Sequence, residues 1–569
     1  LRIQHIFDIN QDTSVIFTEF NGIYLKIGKT FVKPSNPGNL LMETCQINRV
    51  LRINDQLFAV GTIKHGLLIT DCYGNIKFRI DKSNGLQHNT VLSLWIDPNG
   101  KLWVGLVKGI DYIEISAPFY FIKDKTGRLG SVTSSVLYKG SLYLGTNQGL
   151  LYADWDRLIH RGNTEFVAIP EFEGHVLSLD VIDGQLICGF NLGTYRIEDN
   201  QPVKLSDIGG HSILVHPDMN NIAYQGIYTG IAMYNKDISG IWRFSKVLKE
   251  TEHIRYLQID HEGNLWTSGA EKGLHMHQLN DSGDSIIHTI NFSSKDGFVS
   301  DYFINVFKLG NRLVFTDGNS FFTYDYLNRE IVPYTWLNRQ IGSFSNSRII
   351  KKTSPLEYWF ISRSSLGKFN FLYDSLILRN EIKYDYLHAS TCEYCENITK
   401  INERYYIIGL DEGFAILDYD VLNNINNDNF RQVRINSFNC FNKEGITQRI
   451  EINNAAIPKI CFRNRNLLVK YSVPGTTQEQ FTFYYRFSDL EPWLELENTN
   501  SLQYNNLRSG SYNLEIKAVG ETSGKNTTIS FPFVILPPWY FHWIAIVSYV
   551  LIFIGFGLIT RKIITIRIH

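Results

Sequence analysis

Cysteine is scarce, seven among 569 residues, an odd number scattered along the chain. That excludes the disulfide framework that staples small secreted domains. Excess charge of either sign is also lacking. Lys and Arg total 55 against 56 Asp and Glu, a net charge of −1. A nucleic-acid-binding surface carries a basic excess, so no nucleic acid partner is expected for this chain. Cys392-Glu-Tyr-Cys395 is the one close cysteine pair. Its functional readings are a redox pair or half of a zinc site; a four-ligand zinc site needs a second pair at ligand spacing, and none accompanies it, so a loop disulfide or two unrelated thiols is the favoured reading. His275 and His277 share a strand face but lack further ligands in sequence. No nucleophile motif, kinase histidine box or nucleotide-binding glycine loop occurs. No catalytic residue, metal or cofactor is therefore expected, and the chain reads as a non-enzyme. An initiating Met and a signal peptide are missing too, and both ends read as cut.

What is present is repetition. Val91–Ile115, VLSLWIDPNGKLWVGLVKGIDYIEI, reads as three short strands joined by Asp97-Pro98-Asn99-Gly100 and Lys108-Gly109. Asp caps its own backbone, Pro fixes φ, and Asn and Gly tolerate positive φ. One such meander cannot bury both faces and needs neighbours of its own kind. They are there. Ile254–His277 repeats the pattern with Asp260, Gly263 and Trp266 in the places of Asp97, Gly100 and Trp103. Further copies are Val132–Asp154, Val176–Glu198, Ile213–Tyr234 and Ile398–Asp418, with weaker ones at Ile6–Ile27, Arg49–Thr70, Ile304–Tyr326 and Arg348–Phe371. Second-turn glycines 22, 66, 109, 149, 193, 230, 273, 367 and 413 mark the register, with Asn319 or Ser320 replacing the missing one. They lie roughly 37–47 residues apart, the period of a four-stranded propeller blade.

The fold class is therefore all-β: seven-bladed-type β-propeller repeats, an immunoglobulin-like β-sandwich and one transmembrane helix. Residues 1–120 hold three repeats, read as the last blades of a first propeller. Residues 121–420 hold seven, a complete second propeller by the usual blade count. The Asn-rich, polar stretch 421–434 reads as a linker. Residues 435–536 alternate in short strands, expected at Ile450–Asn453, Lys459–Phe462, Asn466–Ser472, Phe481–Phe487, Leu494–Glu497, Ser511–Val519 and Thr527–Val534, which suits a sandwich. Trp539–Ile559 is 21 residues without charge, enough to span a bilayer. Trp539, Tyr540 and Trp543 cluster at one end as an interfacial belt, and Arg561 and Lys562 sit at the other. The positive-inside rule then puts 560–569 in the cytoplasm and everything before the helix outside it. The expected location is the inner membrane, single-pass, with the N-terminal region periplasmic.

In this order of parts the chain resembles bacterial sensors built from two-component-regulator propeller repeats, a triple-tyrosine (three-Y) domain and one membrane helix. Asp97–Gly109 and Asp260–Gly273 match the blade signature. Asn84–Thr90 and Asp296–Asp301 are similar to the loops that lead into blades. Tyr485, Trp493, Tyr504 and Tyr512 fit the three-Y motif, and Pro537-Pro538-Trp539-Tyr540 is typical of the membrane entry. The resemblance implies a ligand-sensing ectodomain, with oligosaccharides as ligands for some members. It also implies a homodimer and a cytoplasmic histidine kinase, or instead a helix-turn-helix regulator. Tyr485, Tyr504 and Tyr512 are read as structural. The ligand-binding residues themselves are not legible, although loops on rigid blades are the expected place.

Overall fold

In the computed structural model the described residues are 2–97, 100–115, 117–123, 127–161, 165–269, 273–372, 375–387, 390–393, 395–427, 432–452, 457–473, 481–488, 490–496, 500–520 and 526–568. Pro98 and Asn99 of the first turn, Ser116, residues 428–431 of the expected linker, Asn453, Glu497 and His569 lie outside them. The chain forms two compact units, 1–424 and 425–569.

The first unit contains a closed ring of seven four-stranded antiparallel sheets. Blades I to VI are continuous in sequence: 132–168, 176–206, 210–250, 254–292, 305–333 and 349–383. Blade VII is composite. Its three inner strands are Ile398–Lys400, Tyr405–Leu410 and Gly413–Asp418, and its outer strand is Phe119–Lys123, from before blade I. Phe119 pairs with Leu417 and Lys123 with Gly413. The ring is thus clasped by main-chain hydrogen bonds between its two chain ends. The cut expected between 120 and 121 falls inside this clasping strand. A sheet edge left bare would be open to foreign strands, which is the physical reason for the arrangement.

Local chemistry builds each blade. In blade IV, Asp260 Oδ1 accepts from the backbone N–H of Glu262 and of Asn264, both at 2.9 Å, and Oδ2 accepts the Trp266 indole N–H at 2.8 Å. Trp266 is fully buried, stacked on Phe292 (5.5 Å) and edge-on to Tyr324 (5.0 Å), with Phe315 of blade V against it. One carboxylate so closes the turn and fixes the ring that fills the space between two blades. Asp97 likewise accepts the Lys101 backbone N–H at 3.0 Å and the Trp103 indole N–H at 3.2 Å. The second turn has its own device, a hydroxyl that donates back across it. Thr18 bonds the Gly22 carbonyl, Thr62 that of Gly66 and Thr146 that of Gly149, at 2.7, 2.8 and 3.0 Å. Gly66 is obligatory there: φ is +75° and a Cβ would lie 2.3 Å from the Ile80 carbonyl oxygen.

Blade VI departs from the glycine register. Its second turn is Ser362–Ser365, where the Ser362 hydroxyl donates to the Ser365 carbonyl at 3.0 Å. Gly367, read as the turn marker, lies inside the strand Ser365–Leu372. There a Cβ would meet Phe344 at 2.6 Å, so this glycine serves close packing rather than a turn.

Three further sheets precede the clasp: 3–32, 47–80 and the three-stranded 91–114. The last of these leaves Trp95 58% exposed and Trp103 38% exposed, whereas the corresponding Trp266 is covered. The polar stretch 421–434 differs from its linker reading. It opens inside a helix, Tyr419–Asn427, because Leu422 buries itself in the blade VI–VII core.

The second unit holds two facing sheets. One is four-stranded, 434–441, 447–450, 466–472 and 501–504; the other is five-stranded, 459–460, 481–486, 494–496, 510–520 and 526–535. Phe438, Leu467, Val469, Tyr471, Leu514, Ile516 and Phe533 fill the space between them, all with essentially no exposure. The strand at Ser501–Tyr504 was not anticipated, and Thr447–Ile450 lies three residues before the strand expected at Ile450–Asn453. Trp539–Phe541 is a short 3₁₀ turn, and a single helix runs Trp543–Ile568. An 18-residue window of its Trp543–Arg567 portion has a mean hydropathy of 2.3 and is unburied within the protein, and the helix is long and apolar enough to cross a membrane. The helix therefore begins later than 539 and continues past 559, carrying Arg561 and Lys562 on its last turns.

Candidate functional site

In a propeller ring the innermost strands line a central channel, and segments entering those strands form one mouth. Several inner strands share a second feature. The ladder slips by one residue near the strand start, at Val132/Ser134, Val176/Ser178, Gly210/Ile213 and Ile254/Tyr256. A bulge frees one residue from pairing and re-aims its side chain. In blade I that residue is Thr133, whose hydroxyl donates to the Val176 carbonyl of blade II at 2.9 Å. In blade IV it is Arg255. Its Nη2 donates instead to Cys395 Sγ at 3.3 Å, on the segment entering blade VII. Blades IV and VII are three steps apart around the ring, so this contact crosses the mouth.

Histidines from three successive blades gather beside Arg255. His211 and His253 face each other Nε2 to Nε2 at 2.7 Å, one donating and the other accepting, with ring centroids 4.9 Å apart. Tyr228, 42% exposed, lies against His253 at 4.8 Å. Burial, reinforced by His253, Arg255 and His175, holds His211 well below the usual histidine range. Burial and Arg255 also lower His175, whose Nε2 is buried with no partner among the described residues. Deeper in, Asp180 of blade II and Lys351 of blade VI influence each other across the channel. Burial pushes Asp180 up and Lys351 down, and each partly offsets the other's shift. Both keep solvent-accessible surface although protein surrounds them, as side chains lining a narrow water-filled channel do.

The blade VII entry supplies the remaining groups. Cys392 and Cys395 hydrogen-bond through their sulfurs, and the Cys395 backbone N–H donates to the Cys392 carbonyl at 3.0 Å. The bond from Cys392 lowers Cys395 to about 6 against the cost of burial, with help from Arg255 and Lys351. The same bond and burial raise Cys392. Glu396, buried, is pushed up by desolvation. Arg348 pairs with Glu393 at 2.9 Å. The mouth thus offers an exposed aromatic face, imidazoles that donate or accept, a guanidinium and a thiol held below its ordinary range. That inventory suits a polyhydroxylated ligand, with rings to stack on and donors to reach its oxygens.

None of these residues was singled out from sequence except the cysteine pair. One signal was available: His175, His211 and His253 stand at nearly the same place in three successive repeats. Repetition was read there for its glycines and tryptophans only. The other histidines considered are not part of the mouth. His277 Nε2 is 3.0 Å from Thr267 Oγ1 and Nδ1 2.9 Å from Thr289 Oγ1, while His275 bonds Glu252 at 2.9 Å. Both belong to internal networks of blade IV, and no cluster of three metal-ligating side chains occurs among the described residues.

The three-Y residues are brought together around Phe487. Tyr485, Tyr504 and Tyr512 have ring centroids 5.9, 4.9 and 5.9 Å from it. The Tyr512 hydroxyl donates to the Arg508 carbonyl at 3.0 Å, a corner bond typical of sandwiches. Trp493 lies apart from them, between Arg486 (4.5 Å) and Lys517 (4.6 Å). Trp539, Tyr540 and Trp543 are exposed at the start of the apolar helix.

No family model and no curated protein matches the chain. Among solved structures, the chain is similar to the extracellular domain assigned to a hybrid two-component system, BT3049, from B. thetaiotaomicron. The TM-score is 0.66 at 16% identity, covering 94% of this chain and 73% of that one. The chain has the fold of that domain. A second extracellular domain from the same organism, BT4673, aligns over 95% of this chain and 74% of its own at 15% identity with a TM-score of 0.40. A virginiamycin B lyase from Staphylococcus aureus aligns over 53% of this chain and 98% of its own at 14% identity and 0.35. Likenesses at those two scores support no argument about this protein.

Proposed function

We propose that this chain is the extracytoplasmic ligand-sensing part of a single-span receptor. The observation that carries the reading is the channel mouth: Arg255, His211, His253, Tyr228 and the Cys392–Cys395 segment converge from blades III, IV and VII on one water-accessible opening. The order propeller, sandwich and apolar helix supports it, since it puts the sandwich next to the span in the chain. The ligand is an oligosaccharide or related nutrient held by stacking on Tyr228 and by donation from Arg255 and the imidazoles. A ligand of this kind signals only by binding two states of the receptor unequally. The helix carries that shift to a cytoplasmic effector in the inner membrane. The sequence resemblance names a histidine kinase in a homodimer for that effector, with a helix-turn-helix regulator as the other form. The shared fold with an extracellular domain of a hybrid two-component system agrees with this assignment.

The test is calorimetric titration of the full chain in nanodiscs with a panel of oligosaccharides. One or more members is expected to bind, and Arg255→Ala together with Tyr228→Ala to abolish that binding while leaving the circular dichroism unchanged. Binding that survives both substitutions would move the site away from the mouth. Turnover of any panel member would overturn the non-enzymatic reading.

A further inference from the structure

We propose that Cys392 and Cys395 form a thiol–disulfide exchange site at the channel mouth, whose substrate class is the low-molecular-weight disulfide. The inference stands on geometry and is independent of which ligand the mouth takes. The Cys395 N–H donates to the Cys392 carbonyl at 3.0 Å, the i to i+3 bond of a tight turn. A turn of this kind holds its end Cα atoms under about 7 Å apart, inside the range a disulfide spans. Each cysteine shifts the other's ionisation, Cys392 upward and Cys395 downward. Arg255 Nη2, 3.3 Å from Cys395 Sγ, gives that sulfur a cationic donor, which a structural thiol does not need. The five other cysteines lie elsewhere: Cys45, Cys188 and Cys440 are buried, Cys72 is half-buried and Cys461 is exposed.

The chemistry follows from that asymmetry. The Cys395 thiolate attacks one sulfur of a small disulfide. A bond forms between Sγ and that sulfur, the substrate S–S bond breaks, and one thiolate leaves and takes a proton from water. Cys392 then loses its proton to solvent and attacks Cys395 Sγ. The Cys392–Cys395 bond forms and the second small thiolate leaves and is protonated. The protein pair is oxidised by two electrons and the small disulfide is reduced to two thiols. Cys395 is the attacking sulfur because Cys392 and Arg255 stabilise its thiolate. The groups around it are Arg255 and Tyr256 from blade IV, Lys351 from blade VI, and Glu393 and Glu396 on its own segment, with Asp411 facing Cys392.

The magnitude of the advantage is modest, and it fixes the assay. A thiol lowered in this way is more ionised at pH 7 than one at the ordinary 9.0, but its intrinsic nucleophilicity falls as its pKa falls, so the two effects largely cancel in the rate. Rate alone is a weak discriminator, and the pH profile is the stronger one. The full chain in nanodiscs, carrying Cys461→Ser, is treated with iodoacetamide between pH 5 and 9 and the peptides are mapped by mass spectrometry. Cys395 alkylation is expected to level off above pH 7 with its midpoint near 6. In Arg255→Gln that midpoint moves upward. With oxidised glutathione, the Cys392–Cys395 disulfide is expected without a stable adduct, whereas Cys392→Ser traps glutathione on Cys395. Cys395→Ser leaves Cys392 unmodified. A Cys395 profile still rising through pH 8, or a lasting glutathione adduct on the unsubstituted pair, overturns the proposal.

Discussion

The junction of blades VI and VII rests on a buried ion network, and breaking it provides a quantitative test of how the ring is held. Glu357 Oε1 accepts from the Thr353 and Tyr406 hydroxyls, both at 2.7 Å. Its Oε2 pairs with Lys368 at 3.1 Å and lies 3.7 Å from Lys400. Lys368 also donates to the Tyr406 hydroxyl at 2.9 Å and stands over the Tyr419 ring at 3.5 Å. Glu357 and Lys368 belong to blade VI, Tyr406 to blade VII. Removing one partner of a buried pair costs about 3–5 kcal/mol, because the other charge is stranded. Lys400 stays nearby, so Lys368→Met is expected at the low end, about 3 kcal/mol. Adding Glu357→Gln removes the stranded charge and is expected to recover about 1.5–2 kcal/mol as coupling.

The assay is hydrogen-exchange mass spectrometry on peptides covering Glu357–Ile361 and Tyr405–Leu410, with the full chain in detergent micelles. A loss of about 3 kcal/mol accelerates the slowest amides there roughly 150-fold if they open with the junction. The pH dependence adds a sign. Desolvation alone would raise Glu357, but the bonds from Thr353 and Tyr406 and the charge of Lys368 outweigh it and hold the carboxyl below 4.5. A depressed carboxyl stabilises the fold above its unfolded value and loses that contribution as pH falls through its folded value. The difference between wild type and Lys368→Met should therefore shrink as pH falls toward and below the ordinary glutamate value of 4.5. Equal exchange in the single and double variants would refute the coupled network, and so would a single variant within about twofold of wild type.

Asp260→Ala removes the Trp266 acceptor and two turn bonds at a buried site, costing about 2–4 kcal/mol in urea unfolding; Asp97→Ala, beside the part-exposed Trp103, should cost less than half as much. Tyr120→Pro deletes the backbone donor that faces Ile416 in the clasping strand, and limited proteolysis is expected to cut within 398–418 faster than in wild type. Tyr512→Phe should cost about 1 kcal/mol through loss of its bond to the Arg508 carbonyl, read as a lowered midpoint of the sandwich transition in differential scanning calorimetry. His277, driven to about 3 by burial and by Lys249 and His275, should show no titration between pH 5 and 8 by proton NMR. Its contribution to stability is complete above the unfolded value of 6.5 and declines as pH falls below it.

The sequence by itself determined the repeat. Asp260 with Trp266, and Gly66 after Thr62, are local devices acting within six residues, so periodicity and turn chemistry expose them directly. It also determined the apolar span, because a run such as Ile544–Ile559 needs no partner to be recognised. The tertiary structure alone decided where the ring closes. Phe119–Lys123 reads as one more short strand, and only its pairing with Gly413–Leu417, nearly 300 residues later, makes it the clasp. Gly367 misled for the complementary reason: a glycine required by the ring of Phe344 cannot be told in sequence from one required by a turn. The channel mouth belongs wholly to the closed ring. Arg255 meets Cys395 across 140 residues, and only circular closure carries blade IV and blade VII to opposite sides of one opening.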